Sequence, residues 1–371
     1  MGVRRRILAF LALGFFVSPP AARAQSEAGL LLGLSSGETL WITLSQDSEF
    51  HVAARKSRLL VPRDDGFWWV GTESRCVLED LREGGVNVER GIWINREQAV
   101  FVSRAGETAH IDIEGDPCPD VERKVVRLRA GRAKLAGNTD SSSRVDELDC
   151  STTKRAVTFV SPAALSIEMR GMLTEFCSPA KYYMWGANFV TDFATGKKIP
   201  LRSVLPDADW TKITEKFAAP DEDEFQEELT YAEADTSWIV THDGDRWSAA
   251  FWRDGSIAER GGHDLDYTIP VPSQFTADAP LPLSFDSIKV RFPRAIEAFA
   301  SPSGEYLLVR EAGSAFLVLV EKAGMSDTVF EFPVALDDRF VMLQWASSER
   351  AAEWSAAIPP LKEPRVKQVR K

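Results

Sequence analysis

Short β-type runs separated by turn residues constrain the fold of this chain more than any other feature. From Leu30 onward, apolar and β-branched segments alternate with Gly, Asp and Pro. Asp64-Asp65-Gly66 separates Leu59-Leu60-Val61 from Phe67-Trp68-Trp69-Val70. This spacing predicts a β-hairpin, because glycine supplies the positive φ that such a turn needs. The predicted fold class is mainly β with minor α, with packed antiparallel β-rich units around a central α+β unit.

One helix and several further strands are predicted. Trp210, Ile213 and Phe217 recur at helical spacing behind Pro206-Asp207, which predicts a helix over 208–217. The remaining patterns predict strands at 237–241 and 247–253, around the Asp243-Gly244-Asp245 turn, and at 267–270, 287–292, 305–311 and 316–321.

A β-propeller is the alternative architecture. Residues 301–309, Ser-Pro-Ser-Gly-Glu-Tyr-Leu-Leu-Val, resemble the strand entry of a propeller blade. Propeller blades repeat at a sustained period of about 40 to 50 residues, and the tryptophans of this chain do not keep such a period. The packed β-rich units therefore remain the first prediction.

The predicted domain organisation follows the changes in composition. In chain order it comprises a signal peptide (1–24), an N-terminal β unit (25–126), a linker or long loop (127–149), a central α+β unit (150–275), a C-terminal β-rich unit (276–358) and a basic tail (359–371).

The N-terminal segment has the three parts of a secretory signal peptide. Arg4-Arg5-Arg6 is followed by an apolar run over 7–17, a Ser18-Pro19-Pro20 break and the small-x-small site Ala22-Arg23-Ala24. A membrane-spanning helix needs about 20 apolar residues, so this run predicts cleavage near Ala24 and not an anchor. The sequence therefore predicts a soluble protein exported to the periplasm or secreted, by either the general or the twin-arginine route.

The charge balance argues against polyanionic partners. The whole chain has a formal net charge of −11. Residues 1–24 contain four arginines and no acidic residue, so the remainder carries 40 basic and 55 acidic residues, a net charge of −15. We therefore predict no nucleic-acid partner and no stable membrane anchor; the oligomeric state is left open.

Export changes the interpretation of the four cysteines, because an oxidising compartment favours disulfides. The chain contains no C-x-x-C pair, the spacing common in zinc and redox sites. Of three possible connectivities, neighbours in sequence favour Cys76 with Cys118 and Cys150 with Cys177. Sequence alone leaves the other two open.

Two histidine segments are the candidate catalytic site. His242-Asp243-Gly244-Asp245 and His263-Asp264-Leu265-Asp266 each place an imidazole beside carboxylates. If the fold brings them together, His242, Asp243, Asp245, His263 and Asp264 have the residue types for acid–base chemistry. Solvated turn residues are the competing interpretation. No metal site and no cofactor are predicted.

Tryptophans and one serine motif complete the candidates. The chain has 11 tryptophans, and Trp68, Trp69, Trp247 and Trp252 are candidates for lining a groove for carbohydrate or peptide. Gly33-Leu34-Ser35-Ser36-Gly37 matches the G-x-S-x-G pattern of serine hydrolases. It runs into a predicted strand, whereas the hydrolase motif leads into a helix, so we do not assign a nucleophile here.

The central region resembles a known module. The pattern comprises Phe159-Val160-Ser161-Pro162 and the segment 188–205 with its Thr195-Gly196-Lys197 turn. It predicts a strand, a turn and an apolar strand that leads into a helix. This pattern resembles the uncharacterised extracytoplasmic module of lysozyme-sensing anti-sigma factors and of some peptidoglycan deacetylases. The resemblance implies a non-catalytic binding module at the cell envelope, and it carries over no catalytic residue.

These observations predict an exported envelope protein that binds a protein partner or a cell-wall glycan without chemistry of its own. An envelope hydrolase that uses the histidine and aspartate residues is the alternative.

Overall fold

The structure is a computed structural model of the chain. It describes residues 27–44, 50–56, 58–81, 91–104, 107–111, 116–117, 147–173, 183–218, 235–251, 267–271, 275, 279–321 and 324–358. The predicted signal peptide and basic tail, and most of the predicted linker, lie outside these residues.

Strands dominate the described residues. In chain order they are β1 (Glu27–Leu34), β2 (Thr39–Leu44), β3 (Phe50–Lys56), β4 (Leu59–Arg63), β5 (Gly66–Leu81), β6 (Gly91–Arg104), β7 (Glu107–Ile111), β8 (Asp116–Pro117), β9 (Glu147–Val160), β10 (Ala164–Leu173), β11 (Tyr183–Asp192), β12 (Ile239–Asp243), β13 (Arg246–Phe251), β14 (Tyr267–Pro270), β15 (Glu297–Ala300), β16 (Tyr306–Glu311), β17 (Ser314–Glu321), β18 (Gly324–Pro333) and β19 (Phe340–Ser347). The helices are α1 (Asp207–Ala218), α2 (Phe285–Arg291) and α3 (Ser348–Ala357), with a 3₁₀ turn at Leu201–Ser203.

The strands form four sheets. The first has the order β19-β1-β2-β3, the third is β12-β13-β14, and the fourth is β15-β16-β17-β18. The second is an eight-stranded sheet with the path β11-β10-β9-β6-β5-β4, to which β7 adds by pairing with β6 and β8 by pairing with β5. All pairings are antiparallel among the described strands except β6 with β9. The prediction of a mainly β fold with minor α is confirmed, and the sheets do not form the repeated blades of the propeller alternative.

The first sheet lies between two hydrophobic cores. Leu30, Leu31 and Leu32 are fully buried, so β1 is covered on both faces. One face packs against the third and fourth sheets and against Phe159, Ala164 and Val190 of the second sheet, and the other face packs against further residues of the second sheet and against α3. A strand that is buried on both faces has a continuous apolar run, as β1 does here, in place of an alternating pattern.

The sheets cross the predicted domain boundaries. β1, from the N-terminal unit, pairs with β19 of the C-terminal unit. β6, from the N-terminal unit, pairs in parallel with β9, and most residues of β9 belong to the central unit. These pairings join distant parts of the chain through backbone hydrogen bonds.

The predicted hairpin and helix are both confirmed. β4 and β5 meet with Arg63 opposite Gly66, and Gly66 has a φ of 113°. The predicted helix over 208–217 corresponds to α1.

The predicted strand over 287–292 is wrong, because this segment belongs to α2. The side chain of Ser284 accepts a hydrogen bond from the backbone N–H of Ser287 and caps the helix. Phe285, Ile288 and Phe292 follow a helical period and contribute to the core between α2 and the fourth sheet. The capping serine was the sequence signal for this helix.

Candidate functional site

His242 is a buried histidine. It lies near the end of β12, and its side chain is only 2% exposed. Its ring lies 3.8 Å from that of Phe299 and 5.0 Å from that of Trp247, measured between ring centroids. His242 therefore faces the core and not the solvent.

A buried ion pair lies beside this histidine. Glu297 on β15 and Arg310 on β16 are directly opposite each other, and Arg310 Nε donates to Glu297 Oε2 at 2.5 Å. His242 Nδ1 lies 4.0 Å from Glu297 Oε1 and has no hydrogen-bond partner among the described residues. The three side chains are thus one buried cluster.

Burial determines the protonation of the cluster. Desolvation lowers the pKa of His242 to about 3, and the Arg310 charge acts in the same direction. Burial also raises the pKa of Glu297, whereas the charge and hydrogen bond of Arg310 act to lower it. The imidazole is therefore neutral at physiological pH, and it is enclosed away from any substrate in solution.

The other residues of the predicted catalytic site are placed differently. Asp243 and Asp245 are exposed on the β12–β13 turn, where Gly244 has a φ of 63°. His263 and Asp264 lie outside the described residues. The structure thus brings His242 together with Glu297 and Arg310, which lie more than 50 residues away in sequence, and no local motif predicts that contact.

Trp68 and Trp69 lie in different surroundings. They are consecutive in β5, so their side chains project to opposite faces of the sheet. Trp68 packs edge-on against Phe193 and lies under the Arg63 guanidinium, while Arg58 lies over Trp69. The two half-buried rings do not line one groove.

Trp247 is 5% exposed and packs against Phe159 in the core, so its ring is not available to a ligand. Trp252 lies outside the described residues.

The G-x-S-x-G segment forms the β1–β2 turn. Asp338, which is 4% exposed, accepts hydrogen bonds from the Ser36 backbone N–H at 2.8 Å and the Ser36 hydroxyl at 3.1 Å. Ser35 Oγ donates to the same carboxylate and accepts from the Arg339 N–H. These bonds hold the turn, and the Ser35 hydroxyl has an aspartate and not a histidine as its partner.

The strand register bears on the predicted disulfides. Cys76 is buried in β5, and β8, which immediately precedes Cys118, pairs with β5 at Arg75 and Cys76. Cys118 and Cys177 lie outside the described residues. The disulfides stay a prediction.

An open pocket of about 610 Å³ lies at the junction of four parts of the fold. It is lined by Glu27, Pro302, Trp345, Ser347, Glu349, Arg350 and Glu353. These residues come from the start of β1, the turn before β16, the end of β19 and the first half of α3.

Local sequence explains how the pocket is built. On α3, Ala351 and Trp354 are buried at helical spacing, as is Ile358 at its C-cap, which turns Glu349, Arg350 and Glu353 towards the other side. Opposite the helix, the Ser303 N–H and hydroxyl both donate to the Glu27 carboxylate, at 2.8 and 2.5 Å. These two hydrogen bonds join the turn before β16 to the first strand.

Trp345 supplies the aromatic part of the pocket lining. Its ring stacks on that of Tyr306, with centroids 6.3 Å apart and planes inclined by 19°. Its buried Nε1 has no acceptor within the described part of the chain. Sequence reasoning missed this pocket because its lining is spread over residues 27 to 353, and neither β19 nor α3 was predicted.

The described part of the chain has no group of three or more His, Cys, Asp or Glu side chains placed to hold a metal ion. None of the helices in the described ranges is long and apolar enough to cross a bilayer.

Comparisons with known proteins give little further information. No protein-family model matches the chain, and no curated protein matches it. A solved structure of a member of the DUF3298 family from Bacteroides fragilis is similar over 55% of this chain and 91% of that chain, with 10% sequence identity and a TM-score of 0.27. A likeness at this TM-score carries no argument about function, and the resemblance of 159–162 and 188–205 to the anti-sigma module stays a prediction.

Proposed function

We propose that this chain is an exported, envelope-associated binding protein that takes a protein partner or a cell-wall glycan in the pocket lined by Trp345, Glu349, Arg350 and Glu353. The observation that carries the proposal is the composition of this pocket, in which an aromatic ring lies beside charged side chains of both signs. Flat rings stack on the apolar faces of sugars and on peptide groups, and charged groups fix the orientation of a ligand.

The surroundings of the pocket support binding. In the described part of the chain, no hydrogen bond or ion pair engages the side chains of Glu349, Arg350 or Glu353. These groups remain available to a ligand. The Trp345 ring is held by Tyr306, so little side-chain freedom is lost when a ligand stacks on it.

The hydrolase alternative receives less support from the described geometry. His242 is neutral and enclosed by Trp247 and Phe299, whereas a general base must reach the proton that it abstracts. The proposed function therefore assigns no chemical step to His242.

Calorimetric titration with soluble cell-wall fragments and with envelope proteins tests the proposal. We expect saturable binding by the mature protein and at least tenfold weaker binding by the Trp345→Ala variant. Trp68→Ala is the matched control, because it removes a half-buried tryptophan that does not line the pocket. Equal binding by both variants, or no binding to either class of ligand, would contradict the proposal.

A further inference from the structure

We propose that the pocket takes a sugar ring of a cell-wall glycan on Trp345, and that Tyr306 is the positioning residue that holds Trp345 ready for this ligand. This inference rests on the proposed function, because it selects one of the two ligand classes given there. It also adds a residue, Tyr306, that is not part of the pocket lining.

The contact between the two rings is the first argument. Trp345 on β19 and Tyr306 at the start of β16 have ring centroids 6.3 Å apart and planes inclined by 19°. Aromatic pairs prefer offset, nearly parallel arrangements with centroids about 4.5 to 7 Å apart. Both rings pack against the same hydrophobic core, and Trp345 also lines the pocket. The indole is therefore held by the fold while part of it faces the pocket.

The anchoring of Tyr306 is the second argument. Its backbone N–H donates to the Ser301 hydroxyl at 3.1 Å, and its carbonyl accepts from the Ser301 N–H at 2.9 Å. The Ser301 hydroxyl lies 3.1 Å from that of Ser303, which donates to the Glu27 carboxylate. Ser301 is fully buried, so this network is shielded from water. The network fixes Tyr306 relative to Glu27, which lines the pocket.

The size of the pocket favours a small ligand over a folded partner. Its volume of about 610 Å³ lies within the range of about 300 to 1,000 Å³ that is usual for small-molecule sites. A stable protein–protein interface buries about 800 Å² on each partner and uses about 20 to 30 residues a side. Seven residues line this pocket. The cavity therefore fits a short segment of a polymer.

The chemistry of the lining favours a sugar over a peptide. A peptide helix needs an apolar groove, and a proline-rich peptide needs a groove lined by aromatic side chains. Here Trp345 and Pro302 are the apolar members of a lining that is otherwise charged or hydroxylated. A sugar ring has an apolar C–H face for the indole and a rim of hydroxyl groups. These hydroxyls can donate to the Glu349 and Glu353 carboxylates and accept from the Arg350 guanidinium.

The contact with Tyr306 determines how much affinity the indole contributes. Immobilising one flexible side chain weakens binding by about twofold to tenfold. Because Tyr306 already orders Trp345, the wild type avoids this loss. The loss should appear when the Tyr306 ring is removed.

A double-mutant cycle tests both parts of the inference. Amidase digestion separates cell wall into peptide-free glycan strands and free stem peptides, and each is titrated calorimetrically against the mature protein. We expect the glycan strands to bind and the stem peptides not to bind. Tyr306→Ala should weaken the binding of glycan strands by about twofold to tenfold. Tyr306→Phe should restore the wild-type affinity, because it keeps the ring. In the Trp345→Ala background, Tyr306→Ala should have no further effect.

Two further variants separate positioning from folding. Tyr306→Leu, which fills much of the same volume without a flat ring, replaces Tyr306→Ala if thermal unfolding shows that the alanine variant does not fold. Phe316→Leu is the matched control, because it removes one ring of the Phe292–Phe316 pair, and neither ring lines the pocket. We expect this control to bind glycan strands with the wild-type affinity.

The outcomes distinguish this inference from the proposed function. Trp345-dependent binding of stem peptides or of an envelope protein, without binding of glycan strands, would overturn the inference and leave the proposed function standing. The inference would also fail if the affinity for glycan strands were unchanged in Tyr306→Ala, or fell equally with and without Trp345, since Tyr306 would then not act through the indole. If no ligand of either class bound in a Trp345-dependent manner, the proposed function would fail as well.

Discussion

At the scale of single residues, the cluster around His242 shows how the fold gives a side chain properties that its neighbours in sequence do not suggest. The segment His242-Asp243-Gly244-Asp245 reads as a polar turn, yet strand alternation turns the imidazole inward and leaves both aspartates exposed. Its contacts with Phe299 and Glu297 come from a different sheet. Sequence reasoning identified the residue but not its environment, because tertiary packing creates that environment.

The lowered pKa of His242 predicts how stability depends on pH. The unfolded chain binds a proton near pH 6.5, whereas the folded imidazole does so only near pH 3. The unfolded state therefore holds more protons between these values, and stability falls as the pH is lowered through this window. The contribution approaches about 1.4 kcal/mol per pH unit. Glu297, with its raised pKa, acts in the opposite direction: its contribution is present below its ordinary pKa and is lost as the pH rises through the folded value.

Denaturant unfolding of the wild type and of the His242→Phe variant at several pH values between 5 and 8 measures this contribution. We expect a shallower loss of stability below pH 6.5 in the variant, since phenylalanine keeps a planar ring and cannot be protonated. Parallel curves for the two proteins would show that His242 is not held neutral by the fold.

Gly29 is required by a close approach within the first sheet. A Cβ atom at this position would lie 2.0 Å from the ring of Trp41 on β2. That ring is held by the Trp354 ring at 5.5 Å and by a hydrogen bond to Ser355, so it cannot move aside freely. We expect Gly29→Ala to lower the free energy of unfolding by about 1–3 kcal/mol, as measured by denaturant unfolding. Gly37→Ala is a useful comparison, because there the penalty comes from a positive φ in open space; an unchanged midpoint for Gly29→Ala would contradict the packing described for Trp41.

At the scale of helices and strands, the sequence predicted elements with strong local signals and missed those that depend on distant partners. The β4–β5 hairpin and α1 were predicted because a glycine turn and a helical apolar period are local features. α2 was predicted as a strand because its seven residues are too few to establish a period by themselves. The pairing of β1 with β19 joins residues more than 300 positions apart, and no local pattern specifies it.

The strand register predicts the disulfide connectivity. β8 ends one residue before Cys118 and pairs with β5 at Cys76, which favours the bond between these two cysteines. Ser151 on β9 is opposite Leu173 on β10, so Cys150 directly precedes the residue that pairs with Leu173, and Cys177 follows Leu173 by four residues in the sequence. We expect peptide mapping of the non-reduced mature protein to identify Cys76–Cys118 and Cys150–Cys177. Identification of Cys76 bonded to Cys150 or to Cys177 would contradict this assignment.

At the scale of the whole molecule, the residues that line the candidate binding pocket come from both ends of the described chain. Glu27 lies at the start of the first strand, and Glu349, Arg350 and Glu353 lie on the last helix. The pocket therefore depends on the central position of β1 between β19 and β2. The fold class was predictable, because apolar β-type runs alternate with turn residues along the chain. The pocket was not predictable, because its residues share no motif and meet only when β1 pairs with β19 in the first sheet.

Site-specific photo-crosslinking in the exporting cells tests the central claim, that this pocket receives an envelope ligand, most directly. A photoreactive residue in place of Arg350 should form adducts with an envelope protein or a cell-wall fragment, whereas the same group in place of Glu321, which is exposed and outside the pocket, should not. The adducts from position 350 should decrease when Trp345 is also replaced by alanine. No adduct at position 350, or the same adducts from both positions, would contradict the account.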